Sequence, residues 1–167
     1  FSFHETKNII SGEGGLLAIN DEQFIERAEI IWEKGTNRCA FFRGEINEYS
    51  WVDVGSSFLP SEITAAFLWA QLEKIDTIQN KRKKIWNTYE TKLKGKSKEF
   101  RTAIIPSFAH NNSHMFYLLF ENHITRQEVI LQLKKKGILA IFHYIPLHSS
   151  PFFEKKYEGL PLPHCDL

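Results

Sequence analysis

Helix-forming patterns alternate with short apolar runs along the whole chain, and this alternation restricts the possible folds more than any other feature. Residues 21–34 carry the first helix pattern. Asn20 and Gln23 are spaced as a capping box at its start, and Gly35 stands at the C′ position after it. A glycine cluster at residues 12–15 separates two apolar runs just before this helix. Chains that alternate strands with helices form α/β layers, so we predict an α/β fold.

The rest of the chain continues the same alternation. A long helix is predicted from Pro60 to about Leu93. A later helix is opened by a capping box of Thr125 and Glu128 and ends before Gly137. Strands are predicted where apolar residues run without helical spacing: one before the glycine cluster, a second after it at residues 16–19, and others at 101–105, 114–120 and 138–145.

Charge and composition exclude several classes of function. Lys and Arg (21) nearly balance Asp and Glu (20), which leaves a net charge of +1 and no overall attraction to nucleic acid or anionic membranes. The lysine runs at 81–84, 92–98 and 134–136 fit either a nucleic-acid footprint or solvated helix faces. Aromatic residues do not interleave with them, which favours solvated faces. No apolar run approaches the roughly 20 residues of a membrane span. The two distant cysteines are typical of a reduced, cytoplasmic protein.

Lys7 is the residue with the most chemical interest. It follows a predicted strand, and a lysine in a desolvated pocket can act as a Schiff-base amine. Ser2, five residues earlier, could hydrogen-bond a phosphate. The other interpretation is a surface lysine beside a turn, and the chemistry of the residue alone favours that one.

Three further patterns contain residue types that can bind metals or phosphate or form interfaces. His143 and His148 are five residues apart near a predicted strand end, which is not a helical metal-binding spacing, so we expect them to line a cleft. The glycine cluster lacks the Gly-Lys-Ser/Thr of a phosphate-binding P-loop and is predicted to be a turn. Residues 36–58 lack periodicity and end in Gly55-Ser56-Ser57, and such a long loop is usually functional or part of an interface.

The motifs taken together resemble a known family. They are Phe1-Ser2-Phe3-His4-Glu5-Thr6-Lys7-Asn8, Ser11-Gly12-Glu13-Gly14-Gly15, Glu33-Lys34-Gly35-Thr36-Asn37-Arg38, Trp51 to Glu62, Gly137-Ile138 and His143 to His148. This combination resembles the DegT/DnrJ/EryC1/StrS sugar aminotransferases, which use pyridoxal 5′-phosphate, and the resemblance covers essentially the whole chain.

The resemblance implies roles for six residues. Lys7 matches the lysine that binds the cofactor covalently and then moves a proton, and Ser2 matches a hydroxyl that contacts the cofactor phosphate. Ser57 stands where many relatives have an asparagine that reaches the phosphate in the neighbouring subunit, so this sequence departs from the pattern there. The remaining three match a segment near the nucleotide-sugar site: His143, Tyr144 and His148.

The resemblance also implies the architecture. The chain is expected to be a fragment of a fold-type I pyridoxal-phosphate-dependent transferase, comprising the end of the large domain and most of the small C-terminal α/β domain. The expected divisions are residues 1–75, a linking helix over 76–99, and the small domain over 100–167. The sequence has no initiator Met, and we expect it to be a segment of a longer polypeptide. Other cofactor-binding groups of the family are expected upstream of Phe1, so this segment alone should be inactive.

The implied activity is transfer of an amino group from L-glutamate to a nucleotide-linked keto-deoxysugar in a homodimer with shared active sites. The expected conversion is dTDP-4-keto-6-deoxyglucose to dTDP-4-amino-4,6-dideoxygalactose, for cell-surface polysaccharide such as enterobacterial common antigen. Two other functions remain open. One is a non-catalytic dimerisation or interaction domain that retains the fold, and the other is a nucleic-acid-binding module that uses the lysine runs.

Overall fold

The computed structural model describes residues 1–163 and 165. By their internal contacts the residues form two units, Phe1–Lys92 with Ile104–Phe116, and Leu93–Ala103 with Tyr117–Leu167. The helices and strands, in chain order, are α1 (Ile25–Trp32), α2 (Arg38–Phe42), α3 (Glu62–Leu72), α4 (Ile75–Leu93), β1 (Phe100–Thr102), β2 (Leu118–Phe120) and α5 (His123–Lys135). Single 3₁₀ turns lie at Glu22–Phe24 and Leu147–Ser149. The predicted division at residues 75/76 and 99/100 concerns the domains of the full-length protein and stays a prediction.

The N-terminal apolar runs form a narrow hairpin held by isolated bridges, and residues 16–19 are not a strand. Ser2 pairs with Gly15 and His4 with Gly12. The Phe3 N–H donates to the Gly14 carbonyl at 2.9 Å. The glycine cluster is therefore the returning arm of this hairpin, and the regular strand pair predicted there is wrong. With α3, the hairpin lines a cavity of about 180 Å³.

The first helix is shorter than predicted at both ends. A 3₁₀ turn precedes α1, and Asp21, not Asn20, caps this turn, because the Asp21 Oδ1 accepts from the Gln23 N–H at 3.1 Å. The helix α1 itself follows Phe24 without a side-chain cap. At the other end Lys34 takes the left-handed conformation (φ 61°). The Gly35 N–H reaches back to the Ile30 carbonyl at 2.7 Å. Gly35 thus lies one residue beyond the C′ position predicted for it.

The long helix from Pro60 is also interrupted. Ser61 caps α3 by accepting the Thr64 N–H at 3.2 Å, and α4 starts again at Ile75 after a two-residue break. Both halves have helix-forming sequences, so the break is not visible in the hydrophobic pattern. The predicted C-terminal limit at Leu93 is confirmed.

The second unit contains a two-stranded antiparallel sheet in which Phe100 pairs with Phe120 and Arg101 with Leu119. Both strands are shorter than predicted. The capping box of Thr125 is wrong, because Asn122 caps α5 by accepting the Thr125 N–H at 2.9 Å. Residues 138–145 are not a strand, since no neighbouring strand pairs with their backbone groups in this structure.

Hydrophobic burial is sparse throughout. Ile9 and Trp86 are the buried hydrophobic side chains among the described residues. Trp86 packs against the Phe116 ring at 5.4 Å, and its Nε1 donates to the Met115 carbonyl at 3.2 Å. This contact joins α4 to the 104–116 segment within the first unit. Large apolar side chains such as Phe58 and Ile63 are 91% and 83% exposed.

Candidate functional site

Lys7 lies in a tight turn that closes the N-terminal hairpin. Its N–H donates to the His4 carbonyl at 2.9 Å, and its own carbonyl accepts from Arg82 Nη2 at 3.2 Å. The side chain is half-buried. The main chain on both sides of Lys7 is therefore held by hydrogen bonds that do not use the lysine amine.

Ser2 lies at the start of the same hairpin, so the structure brings it into one local segment with Lys7. Its Oγ accepts from the His4 N–H at 3.4 Å, which leaves the hydroxyl hydrogen available for another acceptor. A primary amine and a hydroxyl donor are the groups that the aldehyde and the phosphate of pyridoxal phosphate require. The two residues therefore fit one side of a site for this cofactor.

Ser57 lies at the end of a loop that returns to the C-terminal end of α1. Next to it, the Ser56 N–H donates to the Ile31 carbonyl at 2.9 Å. Gly35 and Gly55 are in direct backbone contact, and a Cβ on either would collide with the main chain of the other segment. Ser57 is exposed, and no hydrogen bond or ion pair among the described residues joins it to Ser2 or Lys7.

The segment before Ser57, predicted as a loop over 36–58, contains the short helix α2 and is rich in aromatic side chains. Phe41 packs against Phe42 and Tyr49, with ring centroids 5.7 Å and 5.4 Å away. Phe42 and Trp51 remain 69% and 81% exposed. Arg27 and Asp53 form an ion pair that also ties this loop to α1.

The predicted sugar-binding residues all belong to the second unit. The rings of His143 and Tyr144 lie 5.7 Å apart, and both side chains are exposed. His148 lies in the 3₁₀ turn and packs against Tyr157 at 5.2 Å. His143 and Tyr144 are thus adjacent, and His148 has a different aromatic neighbour.

A polar network next to Lys7 was not predicted from the sequence. We define the His114 network by its five members: Asn8, Gln79, Arg82, Asn112 and His114. Asn8 Nδ2 donates to Gln79 Oε1 at 2.9 Å and to the Asn112 carbonyl at 2.7 Å. His114 Nδ1 lies 3.0 Å from Asn8 Oδ1. His114 lies in the stretch predicted as a strand over 114–120, and in the sequence only the adjacency of Asn8 to Lys7 points to this network.

Burial lowers the pKa of His114, and the positive charges of Lys7 and Arg82 lower it further. The ring is therefore neutral at neutral pH.

Comparison with known proteins gives this geometry a context. The model of the DegT/DnrJ/EryC1/StrS aminotransferase family matches residues 1–166. The UDP-4-amino-4,6-dideoxy-N-acetyl-beta-L-altrosamine transaminase of Helicobacter pylori is 30% identical over 165 residues, which are 97% of this chain and 42% of that protein. This chain spans 42% of the length of the curated relatives that it matches.

Solved structures show the same fold. The aminotransferase PseC from Helicobacter pylori matches with a TM-score of 0.81 and 24% identity, over 98% of this chain and 43% of PseC. The PMP form of the sugar aminotransferase Spr1654 from Streptococcus pneumoniae matches with a TM-score of 0.76 and 23% identity, over 93% of this chain and 41% of that one. The predicted fold class, a fragment of the fold-type I aminotransferase fold, is confirmed.

No helix among the described residues is both long enough and apolar enough to cross a membrane. Lys7, Ser2 and the Gly55-Ser56-Ser57 segment thus occur in a chain whose fold and sequence both match these aminotransferases. The chain belongs to the DegT/DnrJ/EryC1/StrS aminotransferase family.

Proposed function

We propose that the full-length protein containing this chain uses pyridoxal 5′-phosphate to transfer an amino group from L-glutamate to a nucleotide-linked keto-deoxysugar. The observation that supports this most is the position of Lys7. Its main chain is fixed by His4 and Arg82, so its amine is free to react without loosening the turn. The family match over residues 1–166 supports the reaction class.

The proposed substrate is dTDP-4-keto-6-deoxyglucose and the proposed product dTDP-4-amino-4,6-dideoxygalactose. The name of the Helicobacter pylori relative describes a 4-amino-4,6-dideoxy sugar on a different nucleotide, which supports amination at carbon 4 of a 6-deoxy sugar. The sequence resemblance favours dTDP and a role in cell-surface polysaccharide such as enterobacterial common antigen. We place the enzyme in the cytoplasm, because its proposed substrates are nucleotide sugars of that compartment.

The chain's own residues would divide the chemistry as follows. When bound, the cofactor supplies a ring that accepts the electron pair released when a C–H bond beside the amine is broken. Lys7 Nζ would hold the cofactor covalently, and the same amine, once free, would carry the proton released from the glutamate Cα. Ser2 and Ser57 hydroxyls donate to the phosphate oxygens. His143, Tyr144 and His148 contact the nucleotide sugar.

The protein is proposed to act as a homodimer in which the Ser57 loop completes the partner's site. Phe42 and Trp51 are exposed beside this loop, although aromatic rings of this size are usually buried in a core or an interface. Twofold pairing would cover them and would bring each Ser57 to the other subunit.

Reductive trapping tests this function directly. The full-length protein, loaded with pyridoxal phosphate, is treated with borohydride and digested, and we expect the reduced cofactor on the peptide that contains Lys7. Incubation with glutamate and dTDP-4-keto-6-deoxyglucose should release 2-oxoglutarate. A protein that folds, yet carries no cofactor at Lys7, would instead be the non-catalytic interaction domain. Salt-dependent binding to random DNA would revive the nucleic-acid-binding alternative.

Ser57→Ala in the full-length protein is expected to weaken cofactor retention about tenfold or somewhat more. The substitution removes one hydroxyl donor to a charged phosphate, and such a hydrogen bond is worth about 1.5–3 kcal/mol. Equilibrium dialysis or the decay of cofactor absorbance on dilution measures this. Ser107→Ala, another exposed serine, serves as the control and should leave retention unchanged.

Mixing two inactive variants tests whether the loop crosses between subunits. One variant carries Lys7→Ala and the other a bulky Ser57→Trp. If Ser57 serves the partner's site, a mixed dimer contains one intact site and one doubly altered site, and activity returns. If subunit exchange is demonstrated and activity does not return, each protomer builds its site alone.

A further inference from the structure

The orientation of the Asn8 side chain in the His114 network is determined by its partners. Its Nδ2 lies 2.7 Å from the Asn112 main-chain carbonyl, which can only accept a hydrogen bond. The amide nitrogen must therefore face Asn112, and Gln79 Oε1 takes its other hydrogen at 2.9 Å. It follows that Asn8 presents its oxygen, Oδ1, to His114.

This orientation determines the tautomer of His114. Asn8 Oδ1 is only an acceptor, and His114 Nδ1 lies 3.0 Å from it. The hydrogen of this bond must therefore belong to His114 Nδ1. Since the ring is neutral at neutral pH, Nε2 then carries no hydrogen.

Arg82 connects the same two segments through their main chains. Its Nη1 donates to the His114 carbonyl and its Nη2 to the Lys7 carbonyl, both at 3.2 Å. The Lys7 carbonyl belongs to the peptide group that links Lys7 to Asn8. Arg82 of α4 thus fixes the peptide group that follows Lys7. His114, 106 residues away in sequence, fixes the side chain of Asn8.

The loop that carries His114 is itself shaped by short-range hydrogen bonds. The Ser113 N–H donates to Asn111 Oδ1 at 2.9 Å, and the His114 N–H donates to Asn112 Oδ1 at 3.1 Å. Ser113 is buried and in the left-handed conformation (φ 55°). These contacts direct the carbonyl groups of Asn112 and His114 toward Asn8 and Arg82.

We infer that His114 is a positioning residue for Lys7: in its Nδ1–H form it holds Asn8, and this contact, together with the Arg82 bond to the Lys7 carbonyl, fixes the direction from which the Lys7 amine reaches the cofactor. This inference rests on the role proposed for Lys7 above. His114 does not touch the reacting atoms in this scheme. Its effect comes through the main chain at Lys7, where a displacement of about 1 Å can cost roughly a hundredfold in rate.

The surroundings of the ring are consistent with this role. The charged groups that face His114 are Lys7 on the hairpin and Arg82 on α4, and both are cationic. Asn8, Gln79 and Asn112 are neutral. A neutral histidine supplies the hydrogen-bond donor that Asn8 needs without adding a third positive charge beside the reactive amine.

Two substitutions in the full-length holoenzyme separate positioning from mere packing. His114→Leu keeps an apolar side chain but removes the donor, and we expect kcat to fall about 30- to 100-fold while KM for glutamate changes less than about twofold. His114→Asn places an amide N–H at the position of Nδ1 and should restore kcat to within about threefold of the natural protein. Equal kcat for His114→Leu and the natural protein would overturn the inference. So would a loss in His114→Asn as large as that in His114→Leu.

Two measurements do not depend on turnover. With ¹⁵N-labelled histidine in the cofactor-free protein, the ¹⁵N shifts of His114 should show hydrogen on Nδ1, and hydrogen on Nε2 would contradict the inference even if His114→Leu fails to fold. The rate at which the cofactor-free protein captures pyridoxal phosphate on Lys7, trapped by borohydride, should drop about tenfold or more in His114→Leu. If the natural protein is not labelled at Lys7 at all, the proposed function fails. If the natural protein is labelled at Lys7, and His114→Leu captures the cofactor as fast as the natural protein does, only the positioning role fails.

Discussion

Lys7→Ala in the full-length protein is expected to abolish amino transfer while leaving the fold intact. In the proposed mechanism one amine serves as covalent attachment, leaving group and proton carrier, and loss of general acid–base catalysis alone costs about 10²–10⁴-fold. The fold should survive because the turn is held by the Lys7 main chain, through His4 and Arg82, and not by its side chain.

Release of 2-oxoglutarate from glutamate measures the loss, and circular dichroism checks the fold. Lys83→Ala removes an exposed lysine of α4 and is the matched control, with full activity expected. Lys7→Arg keeps the positive charge, yet it should be as inactive as alanine because a guanidinium does not lose its proton near neutral pH. Turnover of Lys7→Ala within tenfold of the natural protein would refute the assignment of Lys7.

The second large effect concerns the 167-residue chain expressed on its own, which is expected to self-associate and to melt without a cooperative transition. The chain exposes 14540 Å² of surface, whereas a folded monomer of 19.5 kDa exposes about 8,500 Å². The additional surface includes large apolar side chains on α3 and around the hairpin, among them Ile63 at 83% and Phe1 at 84% exposure. Exposed apolar surface of this extent promotes association.

Light scattering after size exclusion, together with calorimetry, tests this expectation. Ile63→Glu places a charge on the apolar face of the chain and should reduce association. Lys83→Glu introduces the same side chain on a polar helix face and should not. A monodisperse monomer with a sharp unfolding transition would contradict the expectation, and would mean that the described residues form a sufficient core.

The sequence was informative where the signal is local. The end of α4 at Leu93 and the existence of α1 and α5 followed from helical spacing and from nearby polar or glycine residues. The exact caps did not, because Asn20 and Asp21 are both good capping residues and only the geometry of the turn selects Asp21.

Strands were predicted less well for a physical reason. The apolar run at 138–145 satisfies every local criterion for a strand, but a strand also needs a neighbour for its backbone hydrogen bonds. That neighbour is not encoded in the run itself, so the local pattern could not settle whether it pairs.

The candidate site shows the same division. Lys7 and Ser2 lie within one short motif and could be identified from it, although their roles remain proposals. His114 could not be identified, because its contact with Asn8 joins residues 106 apart and depends on how α4 and the 104–116 segment fold together. Only the assembled structure brings a histidine, an arginine and the lysine into one network.

The contact between Gly35 and Gly55 has a consequence for how the loop between them can change in length. Because the two backbones touch at the base of the loop, and the Val52 and Ser56 N–H groups bond to the Gly35 and Ile31 carbonyls, the base behaves as a rigid closure. The tip around Gly44 has open space instead. Insertions and deletions among homologues should therefore accumulate near residues 44–48, where they leave the position of Ser57 at the base of the loop unaltered. They should be rare between residues 51 and 57.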